Sequence, residues 1–132
     1  MEFVNAVNAV NGFLRGVLPG VRFVTVVPGD PRPDRFVRAI RTGGFRRDAV
    51  TDVARITYEC WNIDKVQAER DAQTLRRALD SLPGTVLAGA KVHRVNEVAA
   101  PSDYPDSQTG HPRYVMSFEL HLRGTQRKAT NG

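Results

Sequence analysis

Apolar positions along the chain recur with two periods, and the places where the period changes mark the elements. Over residues 2–18, Phe3, Val7, Val10, Leu14 and Val17 stand three or four apart, one stripe on a helix. Gly12 inside it costs about 1 kcal/mol relative to alanine. The caps read as poor, so burial of the stripe must hold this helix. Pro19-Gly20 ends it. Residues 21–27 are Val-rich and read as a strand. The segment 28–34 carries Pro28, Pro31 and Pro33, and because each proline removes a ladder donor it reads as a stiff, projecting loop. Residues 35–42 form a second strand without a clean alternation. Gly43-Gly44 then turns the chain, and Phe45-Arg46-Arg47-Asp48 forms the tip.

Alternation is clean over residues 52–61, with Ala54, Ile56, Tyr58 and Cys60 on one side of a strand and Val53, Arg55, Thr57 and Glu59 on the other. Asp64 then stands as an N-cap, with Gln67 three residues on as a capping-box partner. The helix it opens runs to about Ser81 on a stripe of Val66, Ala68, Ala72, Leu75, Leu79 and Leu82, and Pro83-Gly84 stops it. Glu69, Arg70, Arg76 and Arg77 fall to solvent or an interface. Residues 92–99 give a weaker strand, 101–112 a polar loop long for a hairpin, and 113–123 the clearest strand, with Tyr114, Met116, Phe118, Leu120 and Leu122 on one face.

The order is α-β-β-β-α-β-β, and the class is α+β: a mostly antiparallel sheet of about five strands packed with two amphipathic helices. Short connections favour an antiparallel meander of the first three strands, with the last hairpin joined to the same sheet. Leu75, Leu79, Phe118 and Leu120 are expected in the core. Residues 1–124 form one domain, as the chain length of 132 suggests, and the polar tail 125–132 is expected to be disordered.

Charge alters this picture at one place. Arg32, Arg35, Arg38, Arg41, Arg46 and Arg47 are opposed only by Asp34, so this window alone holds the net +5 of the whole chain. Among the basic residues only Lys65, Lys91 and Lys128 are lysines. Arginine's planar fork suits carboxylates, phosphates and protein interfaces. No apolar run approaches the roughly 20 residues of a membrane span. The first residues lack a basic leader, so no secretion signal and no membrane association are expected.

Catalytic chemistry is not legible. His93, His111 and His121 lack a His or Cys partner at helical metal-site spacing, although His93 and His121 could meet across the last hairpin. Cys60 has no base beside it and reads as a small core hydrophobe. Gly43-Gly44 matches neither nucleotide fingerprint, and Asp103 and Asp106 lack the closing Glu of a calcium loop. We expect no enzymatic activity, no metal and no cofactor.

Several segments together do match a pattern. They are the Arg-rich second strand with its Gly-Gly pair, then Asp52-Val53-Ala54-Arg55-Ile56-Thr57-Tyr58-Glu59-Cys60-Trp61, then a helix of the form Asp64-(x)3-Ala68-(x)3-Ala72-(x)2-Leu75. Pro101-(x)3-Pro105-Asp106, Pro112-Arg113-Tyr114 and a closing Leu122-Arg123-Gly124 follow. Over residues 3–124 this order resembles the tail terminator proteins of long-tailed, siphovirus-type bacteriophages, those of actinobacteria in particular. The resemblance implies a virion structural protein, made in the host cytoplasm and placed at the head–tail junction. Such subunits form a homo-oligomeric, hexameric ring that caps the major tail tube protein at the length set by the tape measure protein. The ring then receives the head–tail connector (head-closure) protein, and DNA passes its lumen without sequence-specific binding.

On this reading Arg32, Arg35, Arg38, Arg41, Phe45, Arg46, Arg47, Tyr104, Asp106 and Arg113 are candidate protein-interface residues. The loops 28–34 and 101–112 are the places where one subunit would touch others. Two other readings stand beside it. A neighbouring neck or tail-completion protein shares similar elements, and a small nucleic-acid-binding module would explain the basic window. That window holds only Phe36 and Phe45 as aromatics, fewer than a single-strand stacking platform uses.

Overall fold

A computed structural model of the chain describes residues 2–124 and has two helices packed on one face of a six-stranded, mostly antiparallel sheet. The fold is α+β, as the periodicities predict. The tail 125–132 lies outside the described residues.

Helix α1 (Ala6–Val17) starts one turn later than its stripe suggests and is better capped. Its N-cap is Asn5, whose side chain accepts from the Asn8 backbone N–H at 3.1 Å. Val7, Val10 and Leu14 are buried as predicted, and Asn11 is buried with them. Helix α2 (Lys65–Asp80) is opened by Asp64, which accepts from the N–H groups of Val66 and Gln67. Gln67 does not reach back as a capping-box partner; its side-chain amide donates to Asp71 at 3.1 Å. Val66, expected in the buried stripe, is exposed, and Asp71 takes a buried place instead.

The sheet order is β1-β2-β3-β6-β5-β4. β1 (Arg22–Val24) corrects the expected meander, because it pairs with β2 (Arg35–Arg46) in parallel. Residues 25–34 carry the chain back to the level where β1 began, and a parallel pair needs such a return. β2 and β3 (Thr51–Asn62) form a long antiparallel hairpin. Its turn is not at Gly43-Gly44: β2 runs through both glycines, with a bulge between Arg41 and Gly43. Gly44 sits at φ +107, and a Cβ there would run into the Val53 carbonyl. The chain reverses at residues 47–50, where the Arg47 N–H donates to the Thr51 carbonyl at 2.9 Å. Asp48 accepts from the Val50 N–H at 2.9 Å.

β3 pairs with β6 (Arg113–Arg123), and β6 with β5 (Ala90–Asp103), so β3 and β6 are the middle of the sheet. β5 continues past the predicted end at 99, and the polar loop shrinks to 104–112. A sixth strand, β4 (Val86–Leu87), is joined to β5 by Ala88 and Gly89, both at positive φ. Alanine seldom adopts that conformation, so this turn carries no ordinary sequence signal.

The core lies between the helices and the inner face of the sheet. Leu75, Leu79, Phe118 and Leu120 are fully buried in it, with Val10 and Leu14 from α1 and Ala54, Ile56, Tyr58 and Cys60 from β3. Burial pushes the Cys60 thiol up, so it stays protonated. None of the described helices is long and apolar enough to cross a membrane.

Candidate protein interface

The other face of the sheet has no helix over it among the described residues. Across its middle it is polar: Thr42, Thr57 and Ser117 form a hydroxyl ladder with spacings of 3.0 and 2.9 Å, and Arg55 lies 3.6 Å from Glu119. Its two ends differ.

At the base of the β2–β3 hairpin the cross-strand pair Phe36–Trp61 stacks with ring centroids 5.2 Å apart. Both prolyl-rich loops close over this pair. From 28–34, Arg32 places its guanidinium 5.3 Å from the Trp61 ring. From 104–112, His111 lies 5.4 Å away, tilted. Arg113, at the start of β6, sits between the Trp61 and Tyr104 rings at 5.1 and 5.5 Å, and its Nε donates to the Tyr104 carbonyl at 2.7 Å. Glu59 is the anion of the group. It accepts from Trp61 Nε1 at 3.0 Å and from Arg38 at 3.3 Å, with Arg113 at 3.8 Å. Trp61 is only 2% exposed, so these cation–π contacts are partly desolvated. Asp106 does not join the group directly. It folds its own loop by accepting from the backbone and hydroxyl of Thr109 at 3.0 and 2.7 Å, and those bonds hold its carboxyl below the usual range. Burial and the neighbouring Arg32 charge hold His111 below the ordinary histidine value.

Two window arginines point to the helix side and are consumed there. Arg35 makes a forked pair with Asp71 of α2 at 2.8 and 2.6 Å, and Arg41 a forked pair with Asp52 at 2.8 Å on both arms. These hydrogen bonds raise both guanidinium groups. At the tip, Arg47 contacts Asp48 and His121 at 3.3 Å each. Arg46 is exposed and has no side-chain partner among the described residues, and Phe45 beside it is 58% exposed.

The ten candidates therefore fall into three groups. Arg32, Arg38, Tyr104 and Arg113 converge on Trp61 and Glu59, with Asp106 shaping the loop beside them. Arg35 and Arg41 brace the helix face, and Phe45, Arg46 and Arg47 cap the far end. Sequence reasoning missed Trp61, Glu59 and His111 as the centre of the first group. Their signal was present in Arg38 and Glu59, Phe36 and Trp61, which face each other once the hairpin register is known.

No family model matches the chain, and no curated protein is significantly similar to it in sequence.

Proposed function

We propose that this chain is the ring-forming subunit of a phage tail terminator, a structural protein that caps the tail tube and provides the surface for head joining. The observation that carries the reading is the base of the hairpin. Two long loops that contribute nothing to the core are fixed by stacking and ion pairing around Trp61, with Tyr104 left 62% exposed at the rim. Ordering loops costs conformational entropy, and a rigid, aromatic, Arg-bearing rim is the kind of surface that protein contacts use. An α+β subunit of this size agrees with the family pattern in the sequence.

Hexameric stoichiometry, the tube protein below, the connector above and a place at the head–tail junction of the virion belong to this proposal. The nucleic-acid reading loses support, because Asp71, Glu59, Asp52 and Asp48 each take up an arginine of the basic window within the subunit. The test is tube growth. Purified protein added to self-assembling tail-tube subunits should halt elongation and leave a ring of density at one tube end in electron micrographs. An unchanged length distribution at saturating protein would refute the reading.

A further inference from the structure

The sheet ends on both sides in strands that are paired along only part of their length. β1 covers the outer side of β2 only as far as Arg38. β4 and residues 84–85 cover the outer side of β5 only as far as Val92. Among the described residues, β2 from Ala39 to its end and β5 from His93 to its end have no strand beyond them. Unpaired edges template pairing with another chain unless they are blocked. On β2 the Gly43 carbonyl accepts from Arg41 Nε at 3.1 Å. On β5 the block is Pro101, which limits the usable edge to residues 93–100.

The two edges match in direction, height and chemistry. Three successive antiparallel pairings separate β2 from β5, so β5 runs opposite to β2. A second copy in the same orientation would therefore bring its β5 antiparallel to this β2. The register across the sheet places residues at equal height in rows: Ile40–Thr57–Ser117–Ala99, Arg41–Ile56–Phe118–Glu97 and Phe45–Val53–His121–Arg94. Set edge to edge at that height, Ile40 meets Ala99 and Arg94 meets the exposed Phe45 ring, while Arg41 and Glu97 keep their own partners, Asp52 and Arg76. Both contacts are favourable: apolar on apolar, and a cation beside an aromatic ring. Beside the β2 edge lies an open groove of about 430 Å³, lined by the apolar Ala6, Val7, Ala39 and Ile40 and by polar residues that include Asn5 and Arg41.

We propose that the β5 edge (residues 93–100) of one copy adds antiparallel to the β2 edge (residues 39–46) of the next, so that one sheet continues from subunit to subunit. The contact uses two different surfaces of the same chain, and a head-to-tail contact of that kind generates a ring when its rotation closes. The inference rests on the ring reading above and names the surface by which the ring closes.

Cysteine cross-linking tests it. Phe45→Cys with Arg94→Cys replaces two exposed side chains, so folding is not at stake; Ile40→Cys with Ala99→Cys probes the other end of the edge. Within one subunit each pair is three strand spacings apart, about 14 Å, beyond the roughly 7 Å Cα separation a disulfide tolerates. Any cross-link is therefore between copies. Oxidation of each double variant should give a ladder ending at a closed ring, and each single variant at most a dimer. Hydrogen exchange of the unmodified protein, compared between dilute and assembled samples, should slow about tenfold or more at residues 39–46 and 93–100. Rings in micrographs with neither the ladders nor this protection would overturn the edge pairing and leave the ring reading intact. A chain that stays monomeric at every concentration, and on the tube, would overturn both.

Discussion

At its base the β2–β3 hairpin holds Arg35 against Asp71 and Arg38 against Glu59, under two loops stacked on Trp61. At its tip the same strand presents Phe45 and Arg46 to solvent, with no further strand beside it among the described residues. One residue type, supplied by one short window, thus serves two purposes. Where a carboxylate lies within reach, as Asp71 does for Arg35 and Glu59 for Arg38, arginine is folded into the subunit and stiffens it. Arg46 stands opposite Asp52 in the register, but Arg41 takes that carboxylate and leaves Arg46 available to another molecule. A basic window in the sequence is therefore not a basic patch on the surface until its partners are known.

The largest way to break this comparison is at the base. Trp61→Ala removes the ring on which Phe36, His111, Arg32 and Arg113 converge, and should cost about 3–5 kcal/mol in denaturant unfolding. If the protein unfolds at the parent's denaturant midpoint, the loops are not held as described. Arg35→Ala comes next. It leaves Asp71, 2% exposed, with only Gln67 as a neutral donor. The exposed flank of Arg35 tempers the loss, so we expect about 2–3 kcal/mol, below the full cost of breaking a buried pair.

Acidity should produce a smaller, gradual effect. Burial lowers both His111 and His121, so the folded state binds fewer protons than the unfolded chain. Their effect is nil above the unfolded value of 6.5, and stability declines as pH falls below it. His111→Gln should flatten the base-end part of that slope, measured as Tm against pH; an unchanged slope would remove His111 from the account. Smallest is the tip. Phe45→Ala with Arg46→Glu should change stability by no more than about 0.5 kcal/mol, as exposed substitutions do, while abolishing assembly by light scattering. Loss of stability equal to that of Trp61→Ala would erase the distinction between the two ends.

Much of the fold was legible because long segments kept one period. The alternation of β3 and β6 and the stripe of α2 marked the core, down to Leu75, Leu79, Phe118 and Leu120. The short edge strands were harder. β1 has three residues and β4 two, too few for a period to show, and parallel pairing of β1 depends on where a proline-rich loop leads the chain. The candidate site suffered most from the glycines. Gly43-Gly44 signals a turn, yet here it serves a bulge and the close approach of Gly44 to Val53. With the turn misplaced, Arg38–Glu59 and Phe36–Trp61 do not face each other, and the Trp61 centre vanishes. Asp71 did carry a sign of its role, as a carboxylate within the stripe of Ala68, Ala72 and Leu75, where only a cation from the sheet could accompany it.

The most direct test of the central claim is made in assembled particles. On the proposed tail-terminator reading, a virus carrying Arg46→Glu and Arg47→Glu in this chain should yield headless or abnormally long tails in electron micrographs of lysates, because the subunit would fold but no longer seat on the tube. Tails of normal length joined to filled heads would contradict the account.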